Sequence, residues 1–304
     1  MSVSIEDKIR QLEDTANKLK ADSNNLEALR KFEEILELKY RKFGDGSQEV
    51  RTTKCEIAIL CNILSMDSLQ NNDFDLTKKL LKKAEKLAEK DYRVLACTYN
   101  NYGCLFRKTK KLRSALTFLL KALEIEYKQL NESDSAVDDQ LVTSNPWDIH
   151  LNICAILSQM DKHDLALQHA MKALILIQDE IVNRMTINAQ QTPPERLVVL
   201  SIAYHNIGVE YEFLKKYQPA LNAYKKAVLN AETHLSSSNL MTVNMNTVYE
   251  KAINKIAEVI LKAVTRKGTK QKAATKKEHI IEMLDDGMSE DEIIEYLTKT
   301  KEKR

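Results

Sequence analysis

The chain has 304 residues, enough for a sizeable core and more than one small domain uses. Six glycines, four prolines and an abundance of Leu, Ala, Lys and Glu suit long helices and starve hairpin turns, so the composition predicts an all-α fold and excludes a strand-built one. Charged residues reach 30% with a formal net charge of only +2, which excludes a global field pulling the chain onto nucleic acid or an anionic membrane.

The first residues, MSVSIEDKIRQL, carry acid and no continuous apolar stretch, so neither a signal peptide nor a spanning segment is expected and a cytoplasmic location follows. Two amphipathic helices come next, about Ser4 to Lys20 and Asn25 to Phe43, separated by ADSNN and ended by FGDGS. Residues 1–46 are therefore expected as an N-terminal helical hairpin. The five cysteines, Cys55, Cys61, Cys97, Cys104 and Cys154, form no C-x-x-C pair and sit inside apolar helical patterns, as small buried thiols do.

Three later segments align without gaps: TYNNYGCLFRKTKKLRSALTFLLKAL from Thr98, IHLNICAILSQMDKHDLALQHAMKAL from Ile149, and AYHNIGVEYEFLKKYQPALNAYKKAV from Ala203. Gly103, Cys154 and Gly208 share one column, Ala115, Ala166 and Ala220 a second, and Ala122, Ala173 and Ala227 a third. Small residues recur where two helices must touch, and Phe106, Leu157 and Tyr211 fill a bulky position three residues after the first small one. Leu112, Leu165 or its neighbour, and Tyr217 start the second helix of each hairpin. A weaker copy precedes these, with Ser65 and Thr77 in the first two small columns and Phe74 opening its second helix.

This pattern resembles the tetratricopeptide repeat. The resemblance covers about residues 50–235 and implies an all-α solenoid, a right-handed superhelix of helical hairpins, over residues 47–264 with a capping helix through Val248, Ile253, Ile256 and Ile260. The copies depart from the family in spacing, since matching columns lie 51 and 54 residues apart against a unit of about 34. The extra residues fall in NESDSAVDDQLVTSNP, expected as an exposed loop, and in a lengthened helix through Ile175, Ile181 and Met185 that ends before Pro193 and Pro194.

In such arrays the first helix of each hairpin lines a groove. Asn101, Asn152 and Asn206 share one column there, and an asparagine amide can offer both donor and acceptor to the backbone of an extended peptide. Asn100, Arg107, Lys108, His205 and Glu212 stand nearby as candidates for side-chain selectivity. Family members that grip a chaperone's C-terminal carboxylate use cations where this chain has Ile202 and Asn206, which argues against that role.

From Lys262 onward a basic run carries Arg266, Lys267, Lys270, Lys272, Lys276 and Lys277 without an acid. Residues 265–277 are expected as a linker and a patch for an acidic surface, with no interleaved aromatic to stack single-stranded nucleic acid. Residues 278–304 write out a small C-terminal helical hairpin, stopped by Gly287 and restarted by a Ser289–Glu292 capping box. Its second helix opens with Glu290, Asp291 and Glu292, the wrong sign for DNA.

The six histidines never fall three or four apart, and no phosphate-binding glycine loop or nucleophile elbow is present, so no catalysis, metal or cofactor is expected. The expected role is an adaptor that binds extended peptide or helical segments of other proteins, with no membrane partner. The phrasing NNYGCLF and HLNICAIL is similar to tetratricopeptide proteins of protist cilia and flagella, which implies a structural component of a microtubule-associated complex. A nuclear or RNA-processing scaffold is the alternative that the same lysines would serve.

Overall fold

The computed structural model describes residues 4–89, 91–132, 146–186, 194–264 and 270–302, and these hold helices and turns without a strand. The helices are α1 (Ile5–Ala21), α2 (Asn25–Phe43), α3 (Gln48–Gln70), α4 (Phe74–Ala88), α5 (Tyr92–Lys108), α6 (Leu112–Glu132), α7 (Pro146–Gln159), α8 (His163–Thr186), α9 (Pro194–Phe213), α10 (Tyr217–His234), α11 (Leu240–Val264), α12 (Lys270–Asp285) and α13 (Glu290–Glu302). Most of the NESDSAVDDQLVTSNP segment lies outside the described residues. No helix among the described residues is long and apolar enough to cross a membrane.

The N-terminal hairpin is a further copy of the repeat. Ala16, Ser65, Gly103, Cys154 and Gly208 each stand 12 residues ahead of Ala28, Thr77, Ala115, Ala166 and Ala220, and all ten are buried. Between the helices the chain turns identically. Ser23, Asn72, Lys110, Asp161 and Lys215 adopt φ of 57–61°. The next residue's N–H then reaches back five positions at 2.8–2.9 Å, from Asn24 to Leu19, Asp73 to Ser68, Lys111 to Phe106, Lys162 to Leu157 and Lys216 to Tyr211. This is a Schellman stop, in which one left-handed residue satisfies carbonyls that the helix end leaves bare.

Left-handed backbone costs an ordinary residue about 1–2 kcal/mol. Lys110 and Lys215 carry that cost with no side-chain compensation of the kind an asparagine supplies. Lys110→Gly is therefore expected to raise stability by about 0.5–1 kcal/mol, after the entropy glycine loses on folding, and a thermal melt showing no gain would mean the turn is unstrained.

Residues 1–152 form one compact unit. Its N-terminal core gathers Ile9, Ala16, Ala28, Phe32 and Ile35 with Ile57, Leu60, Cys61 and Ala84, so α1 and α2 pack onto α3 and α4 as neighbouring repeats do. Lys54, almost fully buried, is held between Asp45 and Glu89 with its ammonium 5.5 Å from the Tyr40 ring centroid. A second cluster joins Leu69, Leu81, Tyr102 and Leu105 to the stacked rings of Phe106 and Phe118.

Residues 153–304 form the other unit. Here α8 runs 24 residues without a break, as the expected lengthened helix, and it opens at His163 rather than Leu165, which is 47% exposed. The column fixes this: His163, not Leu165, aligns with Leu112 and Tyr217. The capping helix α11 buries Ile253, Ile256 and Ile260 against α10 and against Ile280, Met283, Leu284 and Ile293 of the C-terminal hairpin. That hairpin is thus docked, with Lys225 and Tyr249 both bonded to Asp285.

The segment expected as a linker over 265–277 is helical from Lys270 onward, where α12 begins. KQKAATKKEH contains strong helix formers and no breaker, and the apolar residues that follow anchor the helix on α11. The Ser289–Glu292 capping box forms as the sequence predicts, with reciprocal bonds at 2.8 and 3.4 Å after a left-handed Gly287.

Candidate peptide-binding surface

In the first unit the asparagines form a ladder between first helices. Asn62 of α3 donates to Thr98 Oγ1 at 2.9 Å, and Asn101 of α5 donates to the Asn62 carbonyl and side-chain oxygens, each at 3.4 Å. Asn152 of α7 donates to Asn100 Oδ1 at 3.1 Å, while Asn100 donates to Asp148 at 2.8 Å. Lys108, expected as a selectivity residue, reaches back to the Leu69 carbonyl at 2.6 Å and so covers the C-terminal end of α3.

Burial differs along the column. Asn100 and Asn101 are 9% and 7% exposed, so their bonds to neighbouring helices are chiefly structural, whereas Asn152 is half-buried. The side-chain oxygens of Asn101 and Asn152 make no hydrogen bond to another described residue, which leaves one acceptor on each amide. Arg107 is half-buried and makes no ion pair with a described residue.

Cys97 and Cys104 share this stripe of α5. Burial, with the Asp148 and Glu126 carboxylates, pushes the Cys97 thiol up to about 12, and burial with Asp148 pushes Cys104 to about 11 against the opposing pull of Arg107. Both stay protonated at neutral pH and serve as packing groups rather than nucleophiles or thiolate ligands.

In the second unit, α9 places His205 and Asn206 side by side. The His205 ring sits 5.7 Å from Tyr224, and its Nδ1 is buried without a hydrogen-bond partner among the described residues. Burial lowers its pKa, so the ring is neutral at pH 7. Asn206 is half-buried, and its side chain makes no hydrogen bond to a described residue. Glu212 is not free to select a ligand, because it accepts from Tyr224 at 3.0 Å and Lys255 at 2.6 Å. Ile202 packs with Ala227 and Val228 at the position where a chaperone-tail clamp needs a cation.

The buried Glu210 accepts from His163 at 2.7 Å, and His163 stacks on Phe213 with centroids 4.2 Å apart. Nothing in the repeat pattern marks this pair, since the two residues lie 47 positions apart and neither belongs to a small-residue column. Its effect is to tie the start of α8 to the end of α9. Among the described residues no group of three His, Cys, Asp or Glu is placed to hold a metal ion.

Of the basic run, Arg266 and Lys267 lie outside the described residues, and Lys270 and Lys272 stand on the first turn of α12. Lys276 and Lys277 are half-buried, and Lys277 pairs with Glu258 of α11 at 2.7 Å, holding that carboxyl below the usual range. Lys277 therefore fastens α12 to α11.

A family model described as tetratricopeptide repeat matches residues 98–129 and 202–234. Among solved structures, BtubC (BKLC) from P. vanneervenii superposes with a TM-score of 0.51 at 16% identity, over 94% of this chain and 91% of that one. YrrB, titled a TPR protein with an unusual peptide-binding site, gives 0.43 at 15% identity, over 81% and 98%. No curated protein matches the sequence. Residues 98–129 and 202–234, on α5–α6 and α9–α10, are tetratricopeptide repeats, and the same small columns and turn recur on α1–α2, α3–α4 and α7–α8.

Proposed function

We propose that the chain is a non-catalytic interaction scaffold that takes an extended segment of another protein along the first helices of its hairpins. The observation that carries this is the ladder on α3, α5 and α7. It spends amide donors on neighbouring helices and leaves the oxygens of Asn101 and Asn152 without a partner among the described residues, ready to accept from a peptide backbone. Preorganised acceptors cost little ordering when a ligand arrives. In the second unit, Asn206 and His205 supply a similar half-buried polar edge on α9, while Arg107, beside the ladder, makes no ion pair with a described residue.

The half-buried pair Asn152→Ala with Asn206→Ala is the suitable variant, because Asn101 supports Asn62 and its loss would confound binding with stability. Proteins captured from an extract by wild type and identified by mass are expected to be lost, or weakened about tenfold or more, with stability lowered by no more than the roughly 0.5–1.5 kcal/mol of the bond from Asn152 to Asn100. If every partner survives, the groove reading fails. The outer faces would then carry the contacts, as in a structural component of a microtubule-associated or other large complex.

A further inference from the structure

We propose that the outer faces of α4 and α6 form a docking surface for an acidic segment of a partner protein, distinct from the groove above. On α4, Lys78, Lys79, Lys82 and Lys86 are exposed and follow one another at one-, three- and four-residue steps, which keeps them within about 100° of the helix circumference and so on one face. On α6, Arg113 and Lys121 stand exposed two turns apart, on the outward side of that helix.

The two helices are bridged through the side chains between them. Glu85 of α4 accepts from the Tyr102 hydroxyl at 3.3 Å, Tyr102 stacks on Phe118 of α6 at 4.8 Å, and the Lys121 ammonium lies 5.4 Å over that ring. Both rows therefore border one surface of the first unit.

What marks this face is the clustering of exposed lysines that make no ion pair with a described residue. On α2 and α13 exposed charges do pair locally, as with Arg30 and Glu27, Lys31 and Glu34, or Lys299 and Glu295. Here Lys78, Lys79, Lys82 and Lys86 make no ion pair with a described residue, and the nearby acids are engaged. Glu85 is on Tyr102, Glu89 is on Lys54, and Asp73 and Asp91 cap α4 and α5. Among the residues of described exposure, Asp75 and Glu124 remain as the exposed acids on the two helices. Like charges at four-residue spacing, Lys78 with Lys82 and Lys82 with Lys86, cost a few tenths of a kcal/mol each, and an anionic ligand would relieve that repulsion.

The ligand chemistry follows from the residue types and the rest of the molecule. Five of these six cations are lysines, compact point charges without the fork that reads phosphate bidentately. The whole chain carries only +2 with a pI near 8.1, well short of the strongly basic domains that hold duplex nucleic acid, so a long polyanion meets acidic surface beyond the patch. A short acidic peptide meets the patch alone.

The test uses the full chain and a labelled oligoglutamate peptide of about 12 residues, long enough to pass Lys78 to Lys86, followed by fluorescence anisotropy. An oligoglutamine peptide of equal length is the control. Binding is expected for oligoglutamate only, falling several-fold between about 50 and about 200 mM salt. The triple variant Lys79→Glu, Lys82→Glu, Lys86→Glu should weaken it at least about tenfold with an unchanged helical signal, while the Asn152→Ala, Asn206→Ala variant should bind as wild type does. No binding at low salt, equal binding by the triple variant, or tighter binding of duplex DNA or phosphatidylserine vesicles than of the peptide would each overturn the proposal.

Discussion

Tyr224→Ala is expected to lower unfolding stability by about 3–5 kcal/mol, the range for emptying a buried aromatic site, and to do so through the second unit. Tyr224 is 2% exposed and among the largest fully buried side chains in the protein. Its ring lies against Gly208, whose absent Cβ leaves the space it fills, and against His205 at 5.7 Å. It belongs to the cluster that joins α10 to α11 and to Ile280, Met283, Leu284 and Ile293, so a cavity here loosens both the repeat and the docked C-terminal hairpin. Denaturant unfolding followed by circular dichroism reads the loss. Tyr224→Phe separates the hydroxyl from the ring, because only the 3.0 Å bond to Glu212 goes, and about 1 kcal/mol is expected. Tyr224→Ala costing no more than Tyr224→Phe would mean that the site collapses without a cavity.

The helices, the three clear copies and the terminal capping box were all legible, because small residues at fixed spacing and cap signatures are local and survive divergence. The N-terminal copy was missed for a physical reason. Its third small column holds Ile35 where the others hold alanine, so the hairpin reads as two generic amphipathic helices, although Ala16 and Ala28 keep register. Over 270–277 a linker is expected where the chain is helix instead, because a lysine run looks solvated whether or not its backbone is helical.

The asparagine ladder was half legible. Column logic picked out Asn101 and Asn152, but Asn62 lies one residue off that column, in the register of Asn100, so its bonds to Thr98 and Asn101 depend on how adjacent helices lean. The unpaired lysines of α4 share this illegibility. Their spacing is plain in the sequence, yet whether nearby acids neutralise them depends on Glu85 turning to Tyr102 and Glu89 to Lys54.

The sharpest test of the repeat register is at Gly103. A Cβ built there would lie 2.6 Å from Cγ and Cδ2 of Leu119, a side chain that is itself fully buried. Glycine inside a helix costs about 0.5–1 kcal/mol relative to alanine, so on propensity alone Gly103→Ala would stabilise. Overpacking a filled crossing costs about 1–3 kcal/mol or more, and the clash is with branch atoms that cannot swing clear, so a net loss of about 1–2 kcal/mol is expected. The second clear copy shows how the space can be shared otherwise. Cys154 stands in the Gly103 column, and Ala170 stands where Leu119 would be. Leu119→Ala alone should cost about 2–5 kcal/mol by leaving a cavity. The double variant Gly103→Ala, Leu119→Ala should cost clearly less than the sum of the singles, because each change fills or frees the volume the other disturbs. Strict additivity in urea melts would mean that the two residues do not share this crossing, and the helix-to-helix register drawn through the small columns would be wrong.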